Sequence, residues 1–354
     1  MKTLQQFSES LESILASTTW YLTDLAEARG KQQLYLQQVP QRLNALREHA
    51  IIESAVSSNR IEGVQIDPGR VRAVVLGKTH LHDRDEEEVR GYRQVLKLIH
   101  ERGTTLSVSE ETICEFHRVA RAQIWDAGQY KQKDSDIIEK YPNGRVRVRF
   151  QTVKASETKA CMKELISLWH SSIEERRVHP LIALAGFNLD FLCIHPFRDG
   201  NGRVSRLLLL LQLYHLGFEV GRYISLERLI EQNKDRYYET LAQSSAGWHE
   251  QRHDPWIYIN YLFFILRTAY REFEDRLGRL KIPRGAKTEI IQEAVAQTGN
   301  EFSLTDLERA CPGVSRDMVR RVLRQLKKDG RVECLGRGPG ALWRKKEVTT
   351  PKQG

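Results

Sequence analysis

The stretch Leu192–Leu211, LCIHPFRDGNGRVSRLLLLL, constrains this chain more than any other part of it. An apolar run ends at His195. A polar loop then carries Pro196, Phe197, Arg198, Asp199, Gly200, Asn201 and Gly202. A helix opens with Arg203 and continues into a leucine-rich core segment. Pro196 and Phe197 are expected to anchor the loop.

The residue types in that loop suit an anion. Gly200-Asn201-Gly202 lets backbone N–H groups turn toward a common point at a helix N-terminus, where the dipole favours negative charge. Arg203 and Arg206 are three apart and share one side of the first helical turn, and the arginine fork can donate two hydrogen bonds to one phosphate. Asp199 is a hard oxygen ligand beside such a site, of the kind magnesium requires. His195, whose ordinary pKa lies near neutrality, stands at its lip.

The rest of the chain sets the frame. At 354 residues it has room for two domains and an arm. Its 40% hydrophobic and 29% charged content excludes a disordered chain. The opening MKTLQQFSESLES lacks the pattern of a signal peptide, and no apolar run is long enough to span a bilayer. The five cysteines form no CxxC pair, so neither a disulfide framework nor a thiolate zinc site is expected, and a cytoplasmic protein without membrane contact is. A net charge of +9 suits a partner carrying phosphate.

Helical periodicity dominates. It covers residues 3–47 with a boundary at Pro40, then 41–61 ending at Gly63, 86–102 closed by Gly103, and 109–124 capped by Ser109. From Asp136 to Val153 the period changes. Pro142-Asn143-Gly144 marks a turn, and Val146, Val148 and Phe150 alternate with Arg145, Arg147 and Arg149, which predicts a hairpin with one packed and one solvated face. Helices resume to about Arg276. Leu277–Arg284 reads as a linker, and Lys287–Lys346 as three helices and a hairpin.

HPFRDGNGRVSR resembles the signature of the Fic family, HPFx(D/E)GNGRxxR, at every defined position. The resemblance extends more loosely over roughly Ala50–Glu274. It implies a mainly α fold, with an N-terminal helical region at 1–100 and a Fic-type helical core at 101–276 whose hairpin flap lies at about 136–153. The implied activity is transfer of AMP from ATP to a hydroxyl of a target protein. In that reading His195 is the general base and Asp199 holds Mg2+. Gly200, Asn201 and Gly202 form the anion hole, and Arg203 and Arg206 bind the phosphates. Tyr237 and Tyr238 match a tyrosine pair of the nucleotide pocket, whereas Ser245 stands where some relatives have asparagine. The sister Doc proteins carry lysine at the position of Gly202 and transfer phosphate, so Gly202 favours AMP. The implied target docks on the flap, and self-modification and homo-oligomers are compatible with the family.

Upstream, residues 49–63 include Ser58-Asn59-Arg60-Ile61-Glu62-Gly63. Ser58 and Glu62 share a helical face. The run resembles the family's inhibitory motif, (S/T)xxxE(G/N). The resemblance implies that Glu62 pairs with Arg206, takes the place of the γ-phosphate, and forces ATP into an unproductive pose. In some relatives this glutamate supports removal of AMP.

Residues 287–346, after a linker at 277–286, resemble a winged helix-turn-helix domain. Thr305 is the expected cap of its second helix, Ser315 that of its recognition helix, and Gly338-Pro339-Gly340 the tip of its wing. Arg316, Arg320, Arg321 and Arg324 favour DNA phosphate as the partner, with a protein-interaction wing as the alternative. Three other functional readings stand beside the enzyme: a DNA-binding regulator whose Fic core senses nucleotide, a Fic enzyme using a different phosphate-linked donor, and a structural or interaction protein with a fossil site, which the complete signature disfavours most.

Overall fold

The computed structural model describes residues 2–10, 13–38, 40–77, 79–121, 124–140, 144–279, 286–311, 314–336 and 341–346. The fold is mainly helical with two small antiparallel sheets. It divides into two compact units, Met1–Gln32 with Gln41–Phe273, and Gln33–Pro40 with Glu274–Gly354. The segments expected as N-terminal region and core thus fall largely within one unit.

The larger unit begins with α1 (Lys2–Ser10), α2 (Ala16–Gln38), α3 (Pro40–Ile61), α4 (Val71–Val75), α5 (Arg84–Arg102) and α6 (Glu110–Ala120). The single helical stretch expected over 3–47 is therefore divided after Ser10 as well as near Pro40. Capping explains several boundaries. Asp83 accepts from the Glu86 N–H to start α5, and Ser109 accepts from the Thr112 N–H to start α6, as the sequence predicted. Helix α6 stops at Ala120, short of the expected Ile124.

Strands β1 (Ile137–Lys140) and β2 (Val146–Phe150) form the antiparallel hairpin. The expected packed face is not there: Ile138, Val146 and Val148 are 46%, 57% and 49% exposed, and only Phe150 is partly covered, by His249 and Trp248. The contacts of β2 with Tyr238, Trp248 and His249 fall at Arg149 and Phe150, which leaves its valines largely exposed. Pro142 and Asn143 of the predicted turn lie outside the described residues.

Then follow α7 (Ala155–Glu175), α8 (Pro180–Ile194), α9 (Asn201–His215), α10 (Leu226–Gln232), α11 (Lys234–Ser245) and α12 (Trp256–Arg279). Helix α12 absorbs Leu277 into regular structure, so the linker begins later than its composition suggested, and residues 280–285 of it lie outside the described set. Helix α8 is buried from Leu181 to Ile194, and α9 is buried along nearly its whole length beside it. A helix apolar all round belongs in a core. The polar residues of α8 are satisfied there. Asn188 donates to the Ser205 carbonyl and accepts from Tyr258, and Asp190 accepts from the Thr3 and Leu4 amides and Trp248 Nε1. The functional loop is the connection between these two buried helices.

The smaller unit contains α13 (Ala286–Gln297), β3 (Glu301–Ser303), α14 (Leu304–Ala310), α15 (Arg316–Lys328), β4 (Val332–Cys334) and β5 (Leu342–Lys345), with strand order β3-β5-β4. Its core gathers Ile291, Phe302, Leu307, Val319, Leu323 and Val332. This order is compatible with a winged helix-turn-helix. Ser315 caps α15 as expected. Helix α14 is capped instead by Ser303, in a reciprocal box with Asp306, and Thr305 lies inside the helix. Residues 338–340, the expected wing tip, lie outside the described residues. No helix among the described residues is long and apolar enough to cross a membrane.

Candidate active site

The loop between α8 and α9 is held from within. Asn201 staples it, its Oδ1 accepting from the Phe197 N–H at 2.9 Å and its Nδ2 donating to the Phe197 carbonyl at 2.7 Å. Phe197 stacks on His117 with centroids 3.9 Å apart. His117 Nδ1 accepts from the Gly128 N–H at 2.8 Å, which leaves its Nε2–H to donate to the Asp199 carbonyl at 3.0 Å. Gly200 takes φ +83°, and a Cβ there would lie 2.8 Å from Arg121 Cδ. Helix α9 starts at Gly200 with no side-chain cap, so its first-turn amides keep their capacity to bind an anion.

His195 ends α8 in the left-handed region, φ 53°. Its Nδ1 donates to the Leu192 carbonyl at 3.3 Å, which leaves Nε2 as the acceptor. Burial of the ring lowers its pKa to about 4, helped by the charge of Lys131 and opposed by the Leu192 bond and the nearby Glu62 and Asp199. The imidazole is therefore neutral at neutral pH, in the state required of a base.

The two arginines of α9 have different surroundings. Arg203, 2% exposed, donates to Glu88 Oε2 and, at 3.1 Å, to Asn59 Oδ1. Glu88, 3% exposed, also binds Arg121 Nη1 at 2.5 Å and Arg84 Nε at 3.0 Å. Arg121 Nη2 in turn lies 2.8 Å from Asp199 Oδ2. Burial raises the Asp199 pKa, but Arg121, Arg203 and the Gly200 amide outweigh it and hold the carboxyl below its ordinary value.

Arg206, 3% exposed, faces α3 instead. Its Nε donates to Ser58 Oγ at 2.8 Å, and its Nη2 to the Ser58 carbonyl at 2.9 Å and to Glu62 Oε1 at 2.8 Å. Nη1 is buried without a hydrogen-bond partner among the described residues. Burial opposes the Arg206 charge, but Glu62, Tyr237 and Tyr92 raise its pKa on balance. Glu62 sits just past the end of α3, in a turn where its N–H bonds to the Asn59 carbonyl, and Gly63 follows at φ +89°. A Cβ at Gly202 would lie 2.3 Å from Glu62 Oε1 and 3.2 Å from Arg206 Nη1. The glutamate rests on bare backbone at the first turn of α9.

A cavity of about 440 Å3 opens beside this pair. Its walls include Glu62, His195, Gly202, Tyr237, Tyr238 and Ser245, with Ile138, Arg149 and Phe150 contributed by the hairpin. Tyr237 is buried among Tyr238, Tyr258 and Tyr261. Tyr238 donates to the Ile61 carbonyl at 3.3 Å, at the end of α3, and its own carbonyl accepts from Arg149 of β2 at 2.7 Å.

No group of three or more His, Cys, Asp or Glu among the described residues could hold a metal. Asp199 is the carboxylate of the loop, with its side chain 59% exposed. One accessible carboxylate fits magnesium in its usual protein setting, where the ion keeps waters and is shared with substrate phosphates.

Of the residues singled out in the sequence, His195, Gly202, Tyr237, Tyr238 and Glu62 line one cavity, and Ser58 and Arg206 lie directly behind Glu62. The side chains of Arg203 and Asn201 turn into the protein, to Glu88 and the Phe197 backbone. Sequence reasoning missed Glu88, Arg121, His117 and Lys131, which lie outside both motifs, and Asn59, which occupies a variable position of the Ser58–Gly63 run.

The Fic/DOC family model matches residues 107–213. A protein adenylyltransferase Fic from Nematostella vectensis is 28% identical over 214 residues, which cover 57% of this chain and 45% of the relative. The chain thus matches less than half the length of that relative. Among solved structures, a Fic family protein from Desulfovibrio desulfuricans superposes with a TM-score of 0.63 at 23% identity, covering 96% of this chain and 98% of that one. A Fic domain containing signalling protein from Bacteroides thetaiotaomicron gives 0.60 at 19% identity, covering 74% and 97%. The Fic/DOC match thus falls on the segment that carries the buried helix pair and its loop, and the solved Fic structures share the fold around it.

Proposed function

We propose that this chain transfers AMP from ATP to a hydroxyl side chain of a target protein, and that Glu62 holds the activity in check. The observation that carries this reading is one cavity in which a neutral His195 and the uncapped first turn of α9 meet an Arg206 already neutralised by Glu62. His195 Nε2 takes the proton of the target hydroxyl. The oxygen bonds to the α-phosphorus as the bond to the diphosphate breaks. The amides of Gly200, Asn201 and Gly202, with Arg206, orient the phosphates and offset their charge. Asp199 would hold Mg2+, which neutralises the leaving diphosphate when bound. Because Glu62 occupies Arg206, a triphosphate must displace that carboxylate or bind in another pose. The exposed Ile138, Val146 and Val148 give the hairpin an apolar edge on which an extended target segment can pair.

The test uses ATP labelled on the α- or γ-phosphate, with magnesium. Label from the α-position, stronger in Glu62→Gly and absent from Glu62→Gly/His195→Ala, is the expected result. Label from the γ-position would mean a kinase-like transfer. No transfer from Glu62→Gly would favour another donor or a nucleotide sensor.

We also propose that the smaller unit contacts duplex DNA through α15. Opposite its buried Val319, Val322, Leu323 and Leu326 it exposes Arg316, Arg320, Arg321, Arg324, Lys327 and Lys328. Glu308 pairs with Arg316 and Asp317 with Arg320, whereas Arg324, Lys327 and Lys328 have no acidic partner among the described residues. A mobility shift that weakens with salt and is lost in Arg320→Ala/Arg321→Ala/Arg324→Ala is expected. Salt-independent or unchanged binding would leave a protein partner instead.

A further inference from the structure

Lys131 belongs to neither motif, and none of the roles above uses it. It lies between α6 and β1 and is 5% exposed. Its bonds fall on both sides of His195. Its backbone N–H donates to the Pro196 carbonyl at 2.8 Å, and its Nζ donates to the Ile194 carbonyl at 3.2 Å. Nζ donates also to Thr152 Oγ1 at 2.6 Å, and that hydroxyl donates to the Ser135 carbonyl at 2.8 Å. Ser135 and Thr152 flank the hairpin, and the Thr152 N–H bonds to Asp136 Oδ1 at 3.3 Å.

Three features make this more than a buried ion finding partners. Ile194 is the last residue of α8, so its carbonyl has no acceptor role within the helix and carries the negative end of the dipole, where an ammonium is favoured. His195 holds a left-handed conformation that a non-glycine residue keeps only when its surroundings fix it. A buried ammonium is a poor way to gain stability, since an apolar side chain of similar volume avoids its desolvation.

We propose that Lys131 is a positioning residue for His195. It grips the backbone before and after the histidine and ties it to the root of the hairpin, so that the base and the strand edge beside it are held in one frame. The catalytic consequence rests on the AMP-transfer reading; the positional one does not. The electrostatics agree: the ammonium adds to burial in lowering the His195 pKa. Burial also lowers the pKa of Lys131 itself to about 8, against the opposing charges of Asp134, Asp136 and Cys161.

The experiment uses the full chain in the Glu62→Gly background, with Lys131→Met, Lys131→Arg and Thr152→Val added singly. Label transfer from α-labelled ATP is measured against ATP concentration, and the His195 ring is titrated by NMR. Lys131→Met should lower kcat by about a hundredfold, the scale of a small misplacement of a catalytic group, with KM for ATP little changed. It should also move the His195 midpoint upward. Lys131→Arg should recover most of kcat, and Thr152→Val should cause a smaller fall. If Lys131→Met does not fold, Lys131→Arg and Thr152→Val still decide, because an arginine chain no better than Thr152→Val would overturn the proposal. An unchanged kcat and His195 titration in Lys131→Met would also overturn it, as would a loss confined to KM. If Glu62→Gly transfers no label, the functional reading fails, and the NMR titration alone then decides the role of Lys131.

Discussion

Arg203 and Arg206 lie one turn apart on α9, and each meets a glutamate from another helix. Their settings differ in what encloses them. Glu88 on α5 is 3% exposed and shared with Arg121 and Arg84, whereas Glu62 at the end of α3 has a side chain 28% exposed and serves Arg206. The first pair is part of the frame. The second borders a cavity. One helix thus carries an enclosed cation–carboxylate contact and a partly solvated one, and enclosure is what separates them.

The sharpest way to break this comparison is to remove each glutamate in turn. Glu88→Ala leaves Arg203 and Arg121 without their shared counter-charge and should cost about 3–5 kcal/mol, the range for breaking a buried ion pair. Thermal denaturation checks this, and a loss no greater than that of Glu62→Gly would end the distinction. Glu62→Gly should cost only about 1–2 kcal/mol without ligand, because its carboxylate is partly solvated and Ser58 still holds Arg206. ATP should then raise the Tm of Glu62→Gly more than that of the native chain, since phosphate finds Arg206 unoccupied.

Acid tests a different set of groups, the histidines whose burial favours the neutral ring. His195 and His100 have pKa values lowered to about 4 and about 3, His195 mainly by burial and His100 by burial with Arg222 and Arg47 nearby. Their unfolded forms bind protons near the ordinary histidine pKa, so the unfolded chain gains protons first. Their contribution to stability is complete above about pH 6.5 and is lost as the pH falls toward 4. Denaturation midpoints should decline over that window, while label transfer by Glu62→Gly should show no acid limb at 6.5. The smallest effect expected is that of Ser58→Ala. It removes one hydrogen bond to Arg206, costs about 1 kcal/mol, and should raise basal labelling slightly and less than Glu62→Gly does.

The parts of this site that were legible in the sequence are those written locally. The loop signature and the Ser58–Glu62 spacing each occupy a few consecutive residues, and the hairpin and the caps at Ser109 and Ser315 follow from adjacent residue types. Glu88 was hidden among Asp85, Glu86 and Glu87, because spacing does not say which of several acids in a helix turns inward. Arg121, His117 and Lys131 act on the loop from far away in the chain, and no local pattern marks a residue whose partner is distant. The strand alternation misled for a related reason. Period two reports that one face differs from the other, but burial needs neighbours along the whole strand, and those of β2 fall at its Arg149–Phe150 end.

The bare backbone at Gly202 ties two distant positions together genetically. Any side chain there would occupy the space of Glu62 Oε1. Residue 202 therefore cannot vary freely while the glutamate stays, and the glutamate cannot keep its seat if 202 acquires even a methyl group. An alanine at 202 would count twice, crowding the first turn of α9 and displacing the Glu62 carboxylate from Arg206. A chain without Glu62 is released from that constraint, so residues 62 and 202 are expected to change together.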